Sequence, residues 1–243
     1  MTIDACVTLG QERETVLSVA DLLGQMDEAD VERALVQPED RALVVDNDEG
    51  NRAMLRAAEA HPDRLIATCT ANPWHGPRAV EGVLRAIEQG ARMVVFAPAL
   101  QGFILGDEIL FPVLDAVAEK CVPIYVHTGP HSHSTPWQLV NVAERYPTLP
   151  FIMGHSGATD YWTDVANAAL ASDNIYLEAS FARPFIMLNH LKTVGMHRGI
   201  MGSAAPRNDL KFEWEQMRRV LAPEENEEYY GRTLLCLIEG VRP

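Results

Sequence analysis

The feature that most constrains the fold is a regular alternation of short apolar segments with amphipathic segments of helical periodicity, along the whole chain. Such alternation is typical of βαβ units built on a parallel sheet. A chain of 243 residues is close to the length of one eight-stranded barrel, about 250 residues. The sequence therefore predicts an α/β fold, a single (β/α)8 TIM barrel. The predicted strands are residues 3–8, 33–37, 65–71, 92–97, 122–127, 150–155, 174–180 and 198–203.

Helix start signals occupy the gaps between the predicted strands. Ser18 and Asp21 form a capping box ahead of an apolar stripe, and Pro77 and Pro136 each stand at a favoured first-turn position. Residues 222–243 follow the eighth unit and are predicted to form a C-terminal helical tail. Because no fixed-period repeat or low-complexity linker divides the sequence, we predict one domain over residues 1–243.

The charge of the chain argues against several classes of partner. Its formal net charge is −14, so a nucleic acid or an anionic membrane would repel it. No apolar run approaches the ~18 residues that span a bilayer, and no leader sequence is recognised. The cysteines lack the spacing of a zinc ribbon or a disulfide framework. We therefore expect a cytoplasmic protein with reduced thiols and a small-molecule substrate, without a nucleic-acid or membrane partner.

Four candidate site residues lie on predicted barrel strands. His127 and His155 end the fifth and sixth strands, at the face where barrels carry their catalytic groups. Because imidazole titrates near neutrality, we predict that both serve in acid/base catalysis. Cys6 and Thr8 are two residues apart on the first strand, so both are expected to face the barrel interior, where Thr8 is a candidate substrate-binding residue. Cys6 is either a nucleophile beside the histidines or a small apolar residue that fills space.

Other candidates surround the predicted mouth of the barrel. Glu178 is the best remaining carboxylate for proton transfer if it points inward from the seventh strand, and the alternative is an outward position. His131 and His133 follow the fifth strand in a polar loop, which either binds substrate oxygens or is an ordinary connection. Trp74 follows the third strand and is a candidate to line the mouth.

Three arginines lie near the ends of the predicted barrel strands. Arg183 and Arg207 follow the seventh and eighth strands, where each can grip a substrate carboxylate. The alternative for both is a surface ion pair with one of the many acidic residues. Arg198 begins the eighth strand at the opposite face, where we expect it to stabilise the fold.

Several segments together resemble the amidohydrolase-related family of the amidohydrolase superfamily, which contains decarboxylases, hydratases and lactonases. The resemblance covers nearly all of the chain in order, and it implies a barrel enzyme, a hydrolase or lyase acting on carboxylated, often aromatic-derived substrates. Besides the two histidine strands, the segments that carry it are 21–27 (DLLGQMD), 71–74 (ANPW), 98–103 (PALQGF), 174–178 (NIYLE) and 202–206 (GSAAP).

The same resemblance implies a metal site that this sequence has altered. The family carries His-x-His on the first strand, one histidine on each of the fifth and sixth, and an aspartate on the eighth. The corresponding residues here are Cys6, Thr8, His127, His155 and Ala204. A catalytic zinc needs about three protein ligands, and the methyl group of Ala204 cannot be one. We therefore predict no metal cofactor, with a rebuilt zinc site of Cys6, His127 and His155 as the alternative.

The predicted function is a divergent amidohydrolase-like enzyme that acts on a small polar or carboxylated metabolite by metal-independent acid/base chemistry. Lactone hydrolysis, hydration or elimination, and rearrangement all remain open. One alternative is a catalytically silent barrel that serves as a binding or regulatory partner, and another is a zinc hydrolase or decarboxylase. An enzyme should keep an open, polar pocket with perturbed histidines, whereas a silent barrel should tolerate apolar filling. Pairing into a homodimer is a further expectation.

Overall fold

Parallel strands form a closed barrel surrounded by helices. The structure is a computed structural model that describes residues 1–129, 132–158, 160–222, 226–241 and 243. Its strands are β1 (Ile3–Gln11), β2 (Val16–Leu17), β3 (Arg33–Pro38), β4 (Leu65–Ala67), β5 (Cys69–Thr70), β6 (Val94–Phe96), β7 (Ile124–His127), β8 (Phe151–Gly154), β9 (Ile175–Glu178) and β10 (Gly199–Ile200).

The helices between the strands confirm the βαβ pattern. Ser18 caps the first of them by accepting a hydrogen bond from the Asp21 N–H, which is one of the two bonds of the predicted capping box, while the Asp21 carboxylate accepts from the Ser18 hydroxyl. Pro77 and Pro136 each begin a helix. The α-helices are α1 (Val19–Glu28), α2 (Asp40–Val44), α3 (Asn47–Ala60), α4 (Pro77–Glu88), α5 (Pro98–Gln101), α6 (Phe111–Ala118), α7 (Pro136–Arg145), α8 (Val165–Ala171), α9 (Pro184–Val194), α10 (Leu210–Arg218) and α11 (Thr233–Ile238).

All eight predicted strand regions form the barrel in chain order, with the third divided into β4 and β5. The division falls at Thr68, whose N–H and hydroxyl both donate to the Val36 carbonyl. Before this bend β4 pairs with β3, and after it β5 pairs with β6. The hairpin of β2 on β1 was not predicted from the sequence.

Hydrogen bonds between the first and last strands close the barrel. The Ala5 N–H donates to the Met201 carbonyl at 3.0 Å, and the Thr8 N–H donates to the Ala205 carbonyl at 2.8 Å. Between these two bonds the pairing of β1 with β3 shifts register. The buried Asp4 carboxylate accepts the freed Cys6 N–H at 3.1 Å and the Ser203 N–H at 3.0 Å. The junction is therefore held by both backbone and side-chain bonds.

Apolar side chains form an inner layer and an outer layer. The inner cluster fills the barrel and includes Ile3, Tyr125 and Ile200, whereas the outer cluster lies between strands and helices. Leu234 and Leu237 of α11 belong to the inner cluster, so the C-terminal helix packs against the barrel interior. Residues 223–225 and 242 of the predicted tail lie outside the described residues. Within the described ranges, no helix is both long and apolar enough to cross a membrane.

Arg198 stabilises the barrel from the end opposite to the histidines. It is 6% exposed, and its guanidinium donates to the carbonyls of Ala169 at 2.8 Å, Ser172 at 2.7 Å and Ile175 at 2.7 Å. It therefore satisfies carbonyls at the end of α8, in the following loop and at the start of β9. This is the structural role that the sequence predicts for it.

Replacing Arg198 with methionine should lower the free energy of unfolding by about 3 kcal/mol, because buried carbonyls lose their donors. Urea denaturation measures the change. The matched control is Arg78→Met, a substitution at an exposed arginine, which should shift stability by at most about 0.5 kcal/mol. Equal stabilities of the two variants would contradict the role assigned to Arg198.

Candidate active site

The two predicted histidines contact each other at the carboxyl ends of adjacent strands. His127 is the last residue of β7, and His155 directly follows β8. The His127 Nδ1 atom lies 2.8 Å from the His155 Nε2 atom, which is a hydrogen bond between the two rings. The pairing of β7 with β8 sets this approach, since His127 is in register with Gly154.

A strained turn directs His155 back over the strand ends. His155 and Ser156 have φ values of 63° and 41°, in the left-handed region that L residues rarely adopt. The Ser156 hydroxyl donates to the Glu178 carbonyl at 2.6 Å and holds the turn against β9. Gly154 precedes the turn because a Cβ atom there would overlap the ring of Tyr125.

Glu178 points into the barrel and is fully buried. Its Oε2 atom accepts hydrogen bonds from the Tyr125 hydroxyl at 2.6 Å and the His155 N–H at 2.9 Å. Ser180 contacts both carboxylate oxygens, with its N–H 2.6 Å from Oε1 and its hydroxyl 2.8 Å from Oε2. The carboxylate therefore orients groups from β7, from the turn after β8 and from the end of β9. Within the described residues, its contacts are with protein groups that lie below the histidine rings.

A chain of hydrogen bonds joins Glu178 to the first strand through the histidine pair. The Ser180 hydroxyl lies 2.7 Å from His155 Nδ1, and His127 Nε2 lies 3.2 Å from Gln37 Oε1. The Gln37 amide nitrogen donates to the Thr8 hydroxyl at 3.0 Å. All four ring nitrogens of the two histidines are thus hydrogen-bonded.

Burial sets the charge of this cluster. It lowers the pKa of His127 well below the ordinary value of 6.5 and lowers the pKa of His155 to about 3, since water no longer solvates the imidazolium form. The neighbouring histidine and Arg207 lower the pKa of His127 further. Burial also raises the pKa of Glu178. At neutral pH both imidazoles are uncharged.

An open cavity of about 610 Å³ lies above the histidine pair. Both histidines line it, together with His133, Phe181 and Arg207. His133 Nδ1 is buried and has no hydrogen-bond partner among the described residues. The cavity therefore combines apolar walls with three imidazole side chains. His131, also predicted to contact substrate, lies outside the described residues.

Cys6 and Thr8 face the interior, as the strand alternation predicts, but neither lines this cavity. Cys6 is 2% exposed, and burial, reinforced by the nearby Glu178 carboxylate, raises its pKa well above the ordinary value of 9.0. A thiol held neutral in this way is a poor nucleophile. This environment favours the interpretation of Cys6 as a residue that fills space.

The residues at the family's metal positions do not fit a catalytic metal centre. Within the described part of the chain, no three His, Cys, Asp or Glu side chains are grouped so that they could hold a metal ion. The Thr8 hydroxyl is engaged by Gln37, and the Cys6 thiol stays protonated. Of the residues at these positions, only His127 and His155 line the cavity, one fewer than the three protein ligands that a catalytic zinc typically needs.

Of the predicted binding residues Arg207, Arg183 and Trp74, Arg207 lines the histidine cavity and the other two do not. Arg207 reaches the cavity but is paired with Glu12 at 2.9 Å and with Asp40 at 2.5 Å. Arg183 is exposed and lies beside a neighbouring cleft. Trp74 is 62% exposed and donates to the Gly102 carbonyl, away from the histidines. Among the described residues that line the histidine cavity, Arg207 is the one arginine.

Gln37, Tyr125 and Ser180 complete the hydrogen-bonded network and were not predicted from the sequence. Strand alternation could have found two of them, because Tyr125 is two residues before His127 and Ser180 is two residues after Glu178. Gln37 is a polar residue near the carboxyl end of β3, a position that also indicates a place at the mouth.

Comparisons with known proteins agree with this architecture. The family model described as amidohydrolase matches residues 12–224. No curated protein sequence matches the chain. Among solved structures, an uncharacterised TIM-barrel protein from Bordetella bronchiseptica has a TM-score of 0.80 at 14% identity, over 98% of each chain.

Two decarboxylases also share the fold. The 2,6-dihydroxybenzoate decarboxylase from Rhizobium has a TM-score of 0.79 at 13% identity, over 98% of each chain. The 5-carboxyvanillate decarboxylase from Novosphingobium aromaticivorans, solved with manganese and a nitrobenzoic acid, has a TM-score of 0.79 at 14% identity. That match covers 98% of this chain and 96% of the other. At such identities the likeness shows the (β/α)8 barrel fold alone. Because the family model spans most of its length, this chain belongs to the amidohydrolase family.

Proposed function

We propose that this protein is an enzyme that acts on a small polar or carboxylated metabolite by acid/base chemistry at His127 and His155, without a metal centre. The observation that carries the proposal is the 2.8 Å hydrogen bond between the two rings at the floor of an open cavity. The reaction classes that suit such a pair are lactone hydrolysis, hydration or elimination, and rearrangement by proton transfer.

The cavity favours an enzyme over a catalytically silent barrel. A silent barrel has no need to keep an opening of about 610 Å³ above two desolvated imidazoles. Two histidines whose pKa values are strongly lowered by burial line this cavity, and perturbed titratable groups in a cleft are typical of active sites. His133, whose buried Nδ1 atom has no hydrogen-bond partner among the described residues, adds a third imidazole to the cavity wall.

Proton accounting along the hydrogen-bonded chain supports a transfer role. While both histidines are neutral, the bond between His127 Nδ1 and His155 Nε2 requires both rings to adopt the same tautomer. In one arrangement both rings carry Nδ1–H, and His155 donates to Ser180, which donates to an ionised Glu178. In the other, both carry Nε2–H, and a protonated Glu178 donates to Ser180, which donates to His155.

These two arrangements differ by one proton. A proton that enters at His127 Nε2 displaces the Nδ1 proton of His127 to His155 Nε2, and the Nδ1 proton of His155 moves to Ser180. The original Ser180 proton then moves to Glu178, so neither imidazole becomes charged. The reverse sequence returns one proton to the substrate from His127 Nε2. The site thereby supplies a general base and a general acid in turn.

We place the substrate contact at the His127 Nε2 atom, the ring nitrogen that Gln37 contacts in this structure. The contact of Gln37 with His127 Nε2 is the longest in the chain from Glu178 to Thr8, at 3.2 Å. Rotation of its amide exchanges donor and acceptor, which matches either protonation state of His127 Nε2. A substrate group that displaces Gln37 from this nitrogen is placed to exchange the proton.

Three further assignments accompany the proposal. The substrate is a small molecule, the compartment is the cytoplasm, and pairing into a homodimer remains a prediction. Thr8 acts on the site only through Gln37. Glu178 stores the proton below the rings, and Arg207, neutralised by two carboxylates, lines the wall of the cavity.

His127→Gln and His155→Gln should each lower turnover by a factor on the order of 10²–10⁴, because a general acid/base group is lost. The assay first screens lactones and unsaturated or hydroxylated acids by NMR and then follows the compound that turns over. His75→Gln, at an exposed histidine outside the cavity, is the matched control and should retain activity. Thermal unfolding confirms folding. Full activity in both cavity variants would refute the proposal.

Protein purified without added metal should contain well under one equivalent of zinc, manganese or iron, since only two of the residues at the family's metal positions, His127 and His155, line the cavity. Elemental analysis measures the content. Turnover should survive dialysis against a chelator. A stoichiometric metal whose removal abolishes turnover, and whose loading is reduced by Cys6→Ala, would instead support the rebuilt zinc site.

The profile of kcat/KM against pH should stay level as the pH falls through 6.5, the ordinary pKa of histidine. Burial lowers both histidine pKa values, so the proton-accepting neutral form persists on the acidic side and is lost only at lower pH. Stability must be followed in parallel. A half-loss of kcat/KM near pH 6.5 in folded protein would contradict the neutral histidine pair.

A further inference from the structure

A second cleft adjoins the histidine cavity. It has a volume of about 190 Å³ and is lined by Trp162, Phe181, Arg183 and Ile186, which we call the Arg183 cleft. Phe181 and Ala158 line both this cleft and the histidine cavity. A ligand that extends from one space to the other would therefore pass along the ring of Phe181.

Phe181, which lies in the wall between the cleft and the histidine cavity, has an unusual backbone conformation. Its φ is 61°, in the left-handed region, which is a rare conformation for a bulky residue. Its ring packs edge-to-face on His155, with centroids 5.1 Å apart, yet the residue remains 41% exposed. Trp162, at the far side of the cleft, is 46% exposed. The cleft thus offers two aromatic surfaces to an apolar ligand body.

Charge distinguishes the cleft from the cavity. The cavity arginine, Arg207, is held between Glu12 and Asp40, so the three groups together carry a net negative charge. The exposed Arg183 side chain makes no ion pair or hydrogen bond within the described residues. None of the described residues that line the cleft is acidic, although the chain has 34 acidic residues. An anionic ligand group is therefore attracted to Arg183 more strongly than to Arg207.

We propose that the Arg183 cleft binds the carboxylate end of an arylalkyl or similar apolar carboxylate, with the apolar body against Phe181 and Trp162. This assignment rests on the proposed function, and it places the reacting group of the same molecule above His127. The carboxylate then anchors the substrate and is not the group that reacts. The cleft therefore selects monocarboxylates whose apolar body extends along Phe181 from the carboxylate to the reacting group.

The test compares two probes of equal shape, 3-phenylpropanoate and 3-phenylpropanamide, by isothermal titration calorimetry. Wild-type protein should bind the carboxylate about tenfold more tightly than the amide, as expected for one charge-assisted contact. Arg183→Gln should remove this preference. Arg78→Gln, at another exposed arginine, should keep it. Equal binding of the two probes to wild-type protein, or an unchanged preference in Arg183→Gln, would overturn the proposal.

Trp162→Ala separates the apolar contact from the charged one. It should weaken both probes by a similar factor, whereas no effect on either would overturn the placement of the apolar body. His127→Gln should keep the carboxylate preference, because binding in the cleft does not need the proton-transfer group. A preference that depends on Arg183 without any His127-dependent turnover would leave the cleft standing and refute the proposed function. Conversely, His127-dependent turnover without a carboxylate preference that depends on Arg183 would refute the proposed cleft site alone.

Discussion

The buried carboxyl group of Glu178 is the interaction on which the rest of the site depends. It accepts hydrogen bonds from the Tyr125 hydroxyl and from the backbone N–H groups of His155 and Ser180. These contacts join β7, the turn after β8 and the end of β9. Gly202 is required beside it, because a Cβ atom there would collide with Glu178 Oε1. The strained turn at His155 persists because Glu178 and Ser156 hold it.

In our proposal, hydrogen bonds replace the metal coordination that the family resemblance implies. At three of the five ligand positions this chain carries a buried thiol, a hydroxyl and a methyl group, at Cys6, Thr8 and Ala204. The two retained histidines bond to each other and are continued by Gln37 and Ser180. A metal site and a proton-transfer site need the same scaffold, since both place side chains at the carboxyl ends of strands. In our proposal the barrel keeps this geometry while the chemistry changes.

Much of the fold could be predicted from the sequence because hydrophobic periodicity determines it. The eight strand regions, the helix starts at Ser18, Pro77 and Pro136, and the inward side of Cys6 and Thr8 all follow from local patterns. The partners of Arg207 could not be predicted, because Glu12 and Asp40 are distant in sequence. The same holds for the placement of Arg183 beside a separate cleft, which depends on how the loop after β9 folds.

The central claim is that His127 and His155 form one neutral, hydrogen-bonded pair that exchanges a proton. Nitrogen NMR of the protein labelled with ¹⁵N-histidine tests it most directly, with His127→Gln and His155→Gln used to assign the signals. We predict that both rings adopt the same tautomer, that neither becomes charged as the pH falls through 6.5, and that zinc leaves their signals unchanged. Opposite tautomers, independent titration near pH 6.5, or a stoichiometric shift of both signals on addition of zinc would contradict the account.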